Sequence, residues 1–335
     1  SHVACLQLGS AREAFFYNDF SSEISFVPRV YYARGSILSG SFIIIMEDLG
    51  SRCISAAPLL GNQCWGQVQL PHECAAIGHV QVIETIFLQM AKVHAKYWRD
   101  YTLLRRFPYL KNCDWLQGKN RPAWEFAMDN TKNKWARIKL RNKLKWPSHL
   151  TKCIEMAFSS TNWHAFQTQF NIQKPTTPFT LCHGDFHAAN ILWNKDISTT
   201  QQQVYMVDYA EVGLFCPFTD LAQFMISNAT IELRRASERD LFQSYHASLV
   251  QQGVCSSTFP LEECWTRYQC GGVERWIQMV ILLGILNIEV PHLFPDSAMQ
   301  WFIDQTAAFV DDHAHALEGH HRGLMTGYCM GDFWK

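Results

Sequence analysis

Short apolar runs in the middle of the chain predict three buried strands. The runs cover residues 178–182, 191–193 and 204–207, and each is bounded by polar or turn-forming residues. Apolar runs of this length are typical of strands buried in a sheet. A polar stretch at 194–203 separates the last two runs. We therefore expect these two runs to pair as an antiparallel hairpin with a polar turn.

Most of the remaining chain follows the period of an α-helix. From residue 80 onward apolar positions recur at helical spacing, as they do at Leu88, Ala91, Ala95 and Trp98. Before that point, residues 42–46 are all apolar and are followed by two acids and a glycine, which predicts a strand that ends in a loop. Residues 53–79 are rich in glycine, proline, cysteine and polar residues, so we predict loops there.

A compact polar motif lies between the first two predicted strands. His183, Gly184 and Asp185 are followed by Asn190, and Asp208 ends the third strand. Phosphoryl transfer from ATP needs such a set, because one carboxylate accepts the proton of the attacking hydroxyl while an Asn and a second Asp hold magnesium. The pattern His-Gly-Asp-x4-Asn would occur by chance roughly 0.002 times in a chain of this size. The motif is therefore a specific signal.

The predicted hairpin would bring Asn190 and Asp208 to the same end of the sheet. Magnesium takes hard oxygen ligands and few protein groups, so an amide and a carboxylate side by side suit this ion. The alternative is a hairpin whose polar residues are only turn formers. That alternative does not explain why Gly184 separates His183 from Asp185. We therefore predict a catalytic loop and a magnesium site.

These residues resemble the catalytic and metal-binding loops of the aminoglycoside phosphotransferase and choline kinase group. They are most similar to the ecdysteroid kinase-like, or CHK kinase-like, branch of that protein-kinase-like fold. The resemblance implies that Asp185 is the catalytic base and that His183 buttresses the loop. It also implies that Asn190 and Asp208 bind Mg²⁺. For His187 it gives no role, and a lone loop histidine is more often a hydrogen-bonded structural group.

The resemblance extends toward the N-terminus. Residues 42–50 resemble the strand and hinge between the two lobes, which implies that backbone groups bind the adenine of ATP at Met46, Glu47, Asp48 and Leu49. Residues 12–17 resemble the N-lobe helix whose glutamate pairs with an ATP-binding lysine, which implies a cofactor-binding role for Glu13. Without the family, residues 42–50 are an ordinary strand end and Glu13 is a solvated helix residue.

The resemblance also continues beyond the hairpin. Asp220 begins the run Asp-Leu-Ala-Gln-Phe, which resembles the segment whose aspartate braces the catalytic loop. An Asp at the start of a helix is also a good N-cap, and both interpretations stay open. Later helical segments resemble the same branch, so the likeness covers most of residues 11–285.

One expected feature of the family is missing from the sequence. Kinases of this fold carry a Gly-rich loop over the phosphates and a strand lysine that contacts them. Gly9-Ser10 is too isolated to be such a loop, and no lysine precedes Lys92. We expect either a fragment or a degenerate paralogue, and the intact motif in a chain without an initiator Met favours the fragment. The alternative to a small-molecule kinase is therefore a non-catalytic kinase-like binding protein.

Composition narrows the choice of partners. The chain has 335 residues, is 48% hydrophobic and 18% charged, and carries a net charge of -1, which predicts a large core and no nucleic-acid partner. No segment approaches about 18 consecutive apolar residues, so we expect no membrane partner. The 12 cysteines include no C-x-x-C pair, which favours reduced thiols and a cytoplasmic location.

Together these features predict an α+β, protein-kinase-like bilobal fold with a truncated β-rich N-lobe and a mainly helical C-lobe. We place the partial N-lobe and hinge at 1–50, the C-lobe at 51–335, and the catalytic and metal-binding hairpin at 178–210. ATP and Mg²⁺ are the expected cofactors. The oligomeric state stays open.

The expected acceptor is a hydroxyl of a small molecule, and the sequence does not identify it. Large aromatics in helices are usually core residues, but four tryptophans could line an acceptor pocket: Trp163, Trp265, Trp276 and Trp301. Glu211 follows Asp208 closely and could attract an amine-bearing acceptor, or could be structural. A protein kinase fits less well, because His-Gly-Asp replaces His-Arg-Asp.

Overall fold

The computed structural model describes residues 10–60, 77–141, 143–196 and 203–317. In these ranges the helices are α1 (Ser10–Phe20), α2 (His79–Lys96), α3 (Leu103–Arg106), α4 (Cys113–Leu116), α5 (Arg121–Arg141), α6 (Ser148–Ser160), α7 (Trp163–Gln169), α8 (Pro217–Asn228), α9 (Ile231–Gln251), α10 (Leu261–Glu289) and α11 (Asp296–Leu317). The strands are β1 (Val30–Gly35), β2 (Phe42–Met46), β3 (Cys53–Ser55), β4 (Thr180–Cys182), β5 (Ile191–Asn194), β6 (Val204–Met206) and β7 (Gly213–Phe215).

The helices of the C-terminal part pack through apolar stripes. Helix α2 begins close to the predicted position, and its buried residues recur at helical spacing, as at Val82, Ile86, Met90 and Val93. A stripe of this kind must pack against another apolar surface, and α2 packs against α9. Helix α8 is different because all of its residues are buried. It lies against α10, so its polar side chains are enclosed by protein.

The predicted antiparallel hairpin is confirmed. Strands β5 and β6 pair antiparallel, with Ile191 opposite Met206. The ladder continues one residue further, where the backbone N–H of Val207 donates to the carbonyl oxygen of Asn190 over 3.0 Å. Strand β4 delivers the chain to the catalytic loop and pairs with β7. The ends of β4, β5 and β6 therefore meet at one place, which is where the sequence motif lies.

The prediction of loops at 53–79 is wrong at its start. Residues Cys53–Ser55 form β3, which pairs antiparallel with β5 and completes a three-stranded sheet in the order β3-β5-β6. A strand of three residues is too short to show a hydrophobic period, so pairing decides its conformation. Residues 61–76 of the same predicted region lie outside the described ranges.

The N-terminal part consists of α1 packed against a ribbon formed by β1 and β2. The two strands pair antiparallel, with Val30 opposite Met46. Several large side chains of the ribbon are about half exposed to solvent: Tyr31, Tyr32, Phe42, Ile43 and Ile45. The buried side of α1 belongs to the same continuous core as the C-terminal helices.

Helix α10 qualifies one expectation about the membrane. Within the described residues, α10 is the one helix whose length and hydropathy would allow it to cross a bilayer. The sequence analysis did not single it out, because it contains no run of about 18 consecutive apolar residues. In the fold 83% of its most apolar window is buried, and α5, α8 and α11 pack around it. A core helix passes the same test, so the expected absence of a membrane partner stays a prediction.

The fold class is as predicted, an α+β architecture with small sheets and a mainly helical C-terminal part. The domain limits at 1–50 and 51–335 stay predictions. Strand β3 follows the predicted hinge directly and already pairs with the catalytic hairpin, so the two parts adjoin at this sheet.

Candidate active site

The catalytic loop is held from behind by a buried aspartate. Oδ2 of Asp220 accepts hydrogen bonds from the backbone N–H groups of His183, at 2.9 Å, and Gly184, at 3.4 Å. Asp220 is fully buried and lies in the first turn of α8. The predicted bracing role therefore has a geometric basis, because the carboxylate satisfies two loop donors that would otherwise be buried without partners.

His183 serves the loop as a neutral ring. Its Nδ1 accepts from the backbone N–H of Asp185 over 3.3 Å, so the ring proton is on Nε2, which donates to the carbonyl oxygen of Val207 over 3.0 Å. Burial is the main cause that lowers the pKa of His183. The imidazole therefore links the catalytic loop to the end of β6, next to Asp208.

Gly184 is required by the close approach of two backbones. Its φ is +81°, in the left-handed region that favours glycine. A Cβ at this position would overlap with the carbonyl oxygen of Glu211. The glycine in the His-Gly-Asp motif thus lets the catalytic loop lie directly against the loop that follows Asp208.

Asp185 is half-buried and points into a polar environment. Oδ1 accepts from Nε2 of Gln223 over 3.1 Å, and Oδ2 lies 3.4 Å from Nε2 of His187. Burial by itself would raise the pKa of Asp185, but the positive charge available at His187 and at Arg275 outweighs it, so the pKa lies below its usual range. Asp185 is therefore ionised near neutral pH and able to accept a proton.

Asn190 and Asp208 lie at the adjoining ends of β5 and β6. Nδ2 of Asn190 donates to the carbonyl oxygen of Asp185 over 3.1 Å, which leaves Oδ1 of the amide as the atom available to a ligand. Asp208 has a left-handed backbone, with φ +63°, and is exposed. An accessible carboxylate beside an oriented amide oxygen is a donor set that suits a hard cation such as Mg²⁺.

One side of α8 contacts the catalytic loop at three places. Asp220 holds the start of the loop, Gln223 binds the carboxylate of Asp185, and Oδ1 of Asn228 accepts from the backbone N–H of Ala188 over 3.1 Å. Polar residues on a helix that is buried throughout are costly unless each is hydrogen-bonded. Helix α8 therefore acts as the platform of the loop.

Helix α1 contacts the loop that follows Asp208. Arg12 is buried and donates to two carbonyl oxygens, that of Tyr109 at 2.9 Å and that of Ala210 at 2.6 Å. Burial lowers the pKa of Arg12 to about 10. The ring of Phe16, one turn further along α1, stacks on Tyr209 at a centroid distance of 3.8 Å. Arg12 and Phe16 thus fasten the N-terminal part to the loop that follows Asp208.

Glu13 is not the solvated residue that its helix alone suggests. It is partly buried, and its pKa is raised to about 7, first by burial and then by the negative charge of Asp208. Contacts with Tyr17 and the backbone of Tyr209 oppose this shift. The structure therefore places Glu13 beside Asp208 and the loop that follows it. The lysine pairing implied by the resemblance stays a prediction.

The predicted hinge is a loop, and part of its hydrogen-bonding capacity is used within the chain. The backbone N–H of Glu47 donates to Arg29, and the carbonyl oxygen of Leu49 accepts from Arg52 and Cys53. The side chain of Glu47 also pairs with Arg52 over 2.8 Å. The backbone N–H of Glu47 and the carbonyl oxygen of Leu49 are thus already hydrogen-bonded within the chain. Adenine binding by Met46, Glu47, Asp48 and Leu49 stays a prediction.

Glu211 is a structural residue and not an exposed anion. It is buried and forms an ion pair with Lys111, which is nearly as buried. The pair neutralises the carboxylate, so the idea that Glu211 attracts an amine-bearing acceptor loses its basis. The four candidate tryptophans each pack against other aromatic rings, in the pairs Trp163–Phe166, Trp265–Tyr268, Trp276–Phe302 and Trp301–Phe302. Such packing agrees with the core interpretation.

A second group of potential ligands lies behind the loop and has different chemistry. The side chains of His94, Cys182 and Asp220 are buried within 4.8 Å of one another. A thiol and an imidazole are soft or borderline ligands that do not suit magnesium. Two of the three are also engaged, because His94 hydrogen-bonds Tyr245 over 2.6 Å and Asp220 holds the loop. The donor set at the hairpin end therefore suits magnesium better than this group does.

Sequence reasoning missed several residues that hold the site. Gln223, Asn228, Arg12 and Arg275 all contact the catalytic or metal-binding loop. Two of them carried a signal, since Gln223 and Asn228 are polar residues in the mainly apolar segment that begins at Pro217. Arg275 is likewise a charge within α10, the helix of the described residues that is long and apolar enough to cross a membrane.

Comparison with known proteins agrees with this geometry. The sequence profile of the ecdysteroid kinase-like family matches residues 108–254, which include the whole catalytic hairpin. No curated protein sequence matches the chain at a significant level.

Two solved structures are similar to the chain. One is a choline/ethanolamine kinase family protein from Mesorhizobium loti, with 11% identity, coverage of 94% of this chain and 82% of that chain, and a TM-score of 0.50. The other is an ethanolamine kinase from Plasmodium vivax, with 10% identity, coverage of 91% and 72%, and a TM-score of 0.44, which is too low to carry an argument. At such identity the first likeness concerns the fold alone. The resemblance predicted from the sequence is thus confirmed: residues 108–254 match the ecdysteroid kinase-like family, and the chain has the kinase-like fold of a choline/ethanolamine kinase family protein.

Proposed function

We propose that the protein is an ATP- and Mg²⁺-dependent phosphotransferase that acts on a hydroxyl of a small molecule. The observation that carries this proposal is the convergence of Asp185, Asn190 and Asp208 at the ends of three strands, with the loop between them held by Asp220. The match to the ecdysteroid kinase-like family over the same residues supports a kinase-like activity in general.

In the proposed reaction Asp185 is the general base. The acceptor hydroxyl binds beside the carboxylate, and its oxygen attacks the γ-phosphorus of ATP. The new O–P bond forms while the bond from the γ-phosphorus to the β,γ-bridging oxygen breaks, so ADP leaves with that electron pair. The hydroxyl proton passes to Asp185. A positioned general base contributes roughly 10²–10⁴-fold to such a step.

Mg²⁺ would be held by Asp208 and Asn190. The carboxylate of Asp208 is exposed, and the amide oxygen of Asn190 is left available because its nitrogen is bound to the Asp185 backbone. When bound, the ion neutralises charge on the phosphates. The role of Asn190 in the chain itself is to tie the catalytic loop to the hairpin, which keeps the base and the metal ligands in register.

The test is phosphoryl transfer from γ-labelled ATP to a panel of alcohols that contains choline, ethanolamine, an aminoglycoside, a sugar and a sterol. We expect the wild-type protein to phosphorylate at least one alcohol, and Asp185→Asn to lower that rate by about 10³-fold with an unchanged melting temperature. An exposed matched control, Asp240→Asn, should retain the wild-type rate. Equal rates for Asp185→Asn and wild type would exclude Asp185 as the base.

A second candidate function is favoured by the surroundings of Glu13. Asp208 lies close enough to Glu13 for its negative charge to raise the pKa of Glu13, so two acidic side chains adjoin at the expected metal site. A kinase-like protein that binds a ligand without transferring phosphate would have this arrangement. Two measurements together would support this candidate over the first. Calorimetry would show that the protein binds ATP, and no ADP would be released when any alcohol of the panel is added.

The cellular setting follows from the sequence alone. We propose a cytoplasmic protein whose partner is a small-molecule hydroxyl acceptor, with neither nucleic acid nor membrane as a partner. Localisation of the tagged protein and its retention on nucleic acid or lipid vesicles test these points.

A further inference from the structure

Arg275 is a buried cation directly behind the catalytic loop. Its side chain is fully buried in α10. It donates from Nε to Oε1 of Gln223 over 2.7 Å and from Nη2 to the carbonyl oxygen of Gly184 over 2.8 Å. The charge of the guanidinium also lowers the pKa of Asp185. Because burying a charge is costly, a function at this position needs more than packing.

The contact with Arg275 fixes the orientation of the Gln223 amide. An arginine side chain has donors only, so the Gln223 atom that faces it must be the carbonyl oxygen. The amide nitrogen then points to the other side, where it donates to Oδ1 of Asp185 over 3.1 Å. A flipped amide would place donors together at Arg275 and acceptors together at Asp185. The donors of Arg275 therefore fix the orientation of this amide.

The same guanidinium holds the catalytic residue at two points. Through Gly184 it binds the backbone that immediately precedes Asp185, and through Gln223 it binds the carboxylate. Oδ1 of Asp185 is thereby occupied by a hydrogen bond. Oδ2 does not contact Gln223; it lies 3.4 Å from Nε2 of His187 and, as a carboxylate oxygen with two lone pairs, can also receive the acceptor hydroxyl.

We propose that Arg275 is a positioning residue that, through Gln223, determines which carboxylate oxygen of Asp185 receives the acceptor proton. Arg275 and Gln223 touch neither substrate nor phosphate; they act through Asp185. The proposal rests on the proposed function for the proton transfer itself, whereas the side-chain relay from Arg275 to Asp185 can be measured without turnover.

The kinetic test compares Arg275→Met, Gln223→Leu and the double variant, with MgATP and the alcohol of the panel that reacts fastest. Each single variant should lower kcat by roughly 10–100-fold with the KM for ATP changed less than about two-fold, because a misoriented base affects the chemical step. The double variant should be no slower than the slower single variant, since residues of one relay are not additive. Arg275→Lys should recover part of the loss, because lysine still donates to Gln223.

A matched control separates positioning from stability. Arg234 is also a fully buried arginine, but its ion pairs are with Glu238 and Asp312, at 2.8 and 2.5 Å, away from the catalytic loop. Arg234→Met should lower the melting temperature and leave kcat of the folded protein at the wild-type value. The proposal would be overturned if Arg275→Met had the wild-type kcat. It would also be overturned if the fold-loss of kcat in the double variant equalled the product of the losses in the two single variants.

A second measurement keeps the proposal testable if no alcohol of the panel is phosphorylated. In protein labelled with ¹⁵N-glutamine, the side-chain signals of Gln223 are identified by their loss in Gln223→Leu. They should shift in Asp185→Ala, and they should shift or broaden in Arg275→Met, where the amide becomes free to turn. Gln223 signals that stay at their wild-type positions in Arg275→Met would overturn the relay. A shift without any turnover would support the relay while the proposed function fails.

Discussion

The catalytic loop and the β1–β2 ribbon are built on opposite principles. Polar groups of the loop are enclosed and individually satisfied, by Asp220, by Asn228 and through Gln223 by Arg275. The ribbon instead presents half-exposed apolar side chains such as Ile43 and Ile45 to solvent. The loop that carries the proposed base is therefore preorganised by the C-terminal helices. From the N-terminal part, Arg12 and Phe16 of α1 contact the loop that follows Asp208.

Gly184→Ala, in the catalytic loop, is expected to have the largest effect on stability and activity. The new Cβ would meet the carbonyl oxygen of Glu211 in a left-handed backbone, so two loops would have to separate. We expect a loss of about 3 kcal/mol or more in the free energy of unfolding, together with loss of any activity. Urea denaturation measures this loss.

Gly253→Ala is the matched control for that prediction. Gly253 also has a positive φ, +102°, but nothing lies within 4 Å of a Cβ built there. Backbone strain alone should cost about 1–2 kcal/mol. Equal costs at the two positions would mean that the close approach of the loops contributes nothing.

A pair of isoleucine truncations compares the two regions directly. Ile191 is fully buried at the start of β5, and Ile45 in β2 is 49% exposed. Ile191→Ala should cost about 2–5 kcal/mol in unfolding free energy because it leaves a cavity. Ile45→Ala should cost less than about 1 kcal/mol. A large cost at Ile45 in chemical denaturation would show that the exposed face of the ribbon is covered in solution.

The smallest expected effect depends on pH and concerns Glu13. Its pKa is raised to about 7 in the folded state, so between about 4.5 and about 7 the folded protein binds more protons than the unfolded chain. The free energy of unfolding then falls as pH rises through this window. Glu13→Gln removes the charge next to Asp208, so at pH 8 it should stabilise the protein by on the order of 1–2 kcal/mol.

The stabilisation by Glu13→Gln should vanish near pH 4, where the glutamate is protonated in both states. Glu125→Gln, at an exposed position of α5, controls for the change of residue and should show no such dependence. Thermal denaturation of the wild type and both variants at pH 4 and pH 8 measures this difference in stability. A stabilisation at pH 8 that persists unchanged at pH 4 would contradict the placement of Glu13 beside Asp208.

The parts of the site that the sequence predicts are those whose chemistry is local. His183, Asp185 and Asn190 fall within eight residues, and Asp208 follows at the end of a recognisable hairpin strand. Their spacing alone indicates phosphoryl transfer, and the hairpin of β5 and β6 has the predicted pairing. Fold class followed from the same motif, through the family that it resembles.

The parts that the sequence did not predict depend on contacts between distant residues. Arg275 binds Gly184 across 91 positions, and Gln223 across 52, which no local pattern encodes. Strand β3 is too short to show a period and exists because β5 lies beside it. Glu13 was misjudged without the family because burial is set by the tertiary fold and not by the helix that carries it.

The central claim is that the hairpin end and the catalytic loop form one MgATP site. The most direct test is the thermal shift of the 335-residue protein with ATP and Mg²⁺, beside Asp208→Ala and Asp185→Asn. We predict that MgATP raises the melting temperature of the wild type and of Asp185→Asn by a few degrees, and that the shift is lost in Asp208→Ala or with EDTA. The absence of a magnesium-dependent shift in the wild type, or an equal shift in Asp208→Ala, would contradict this account.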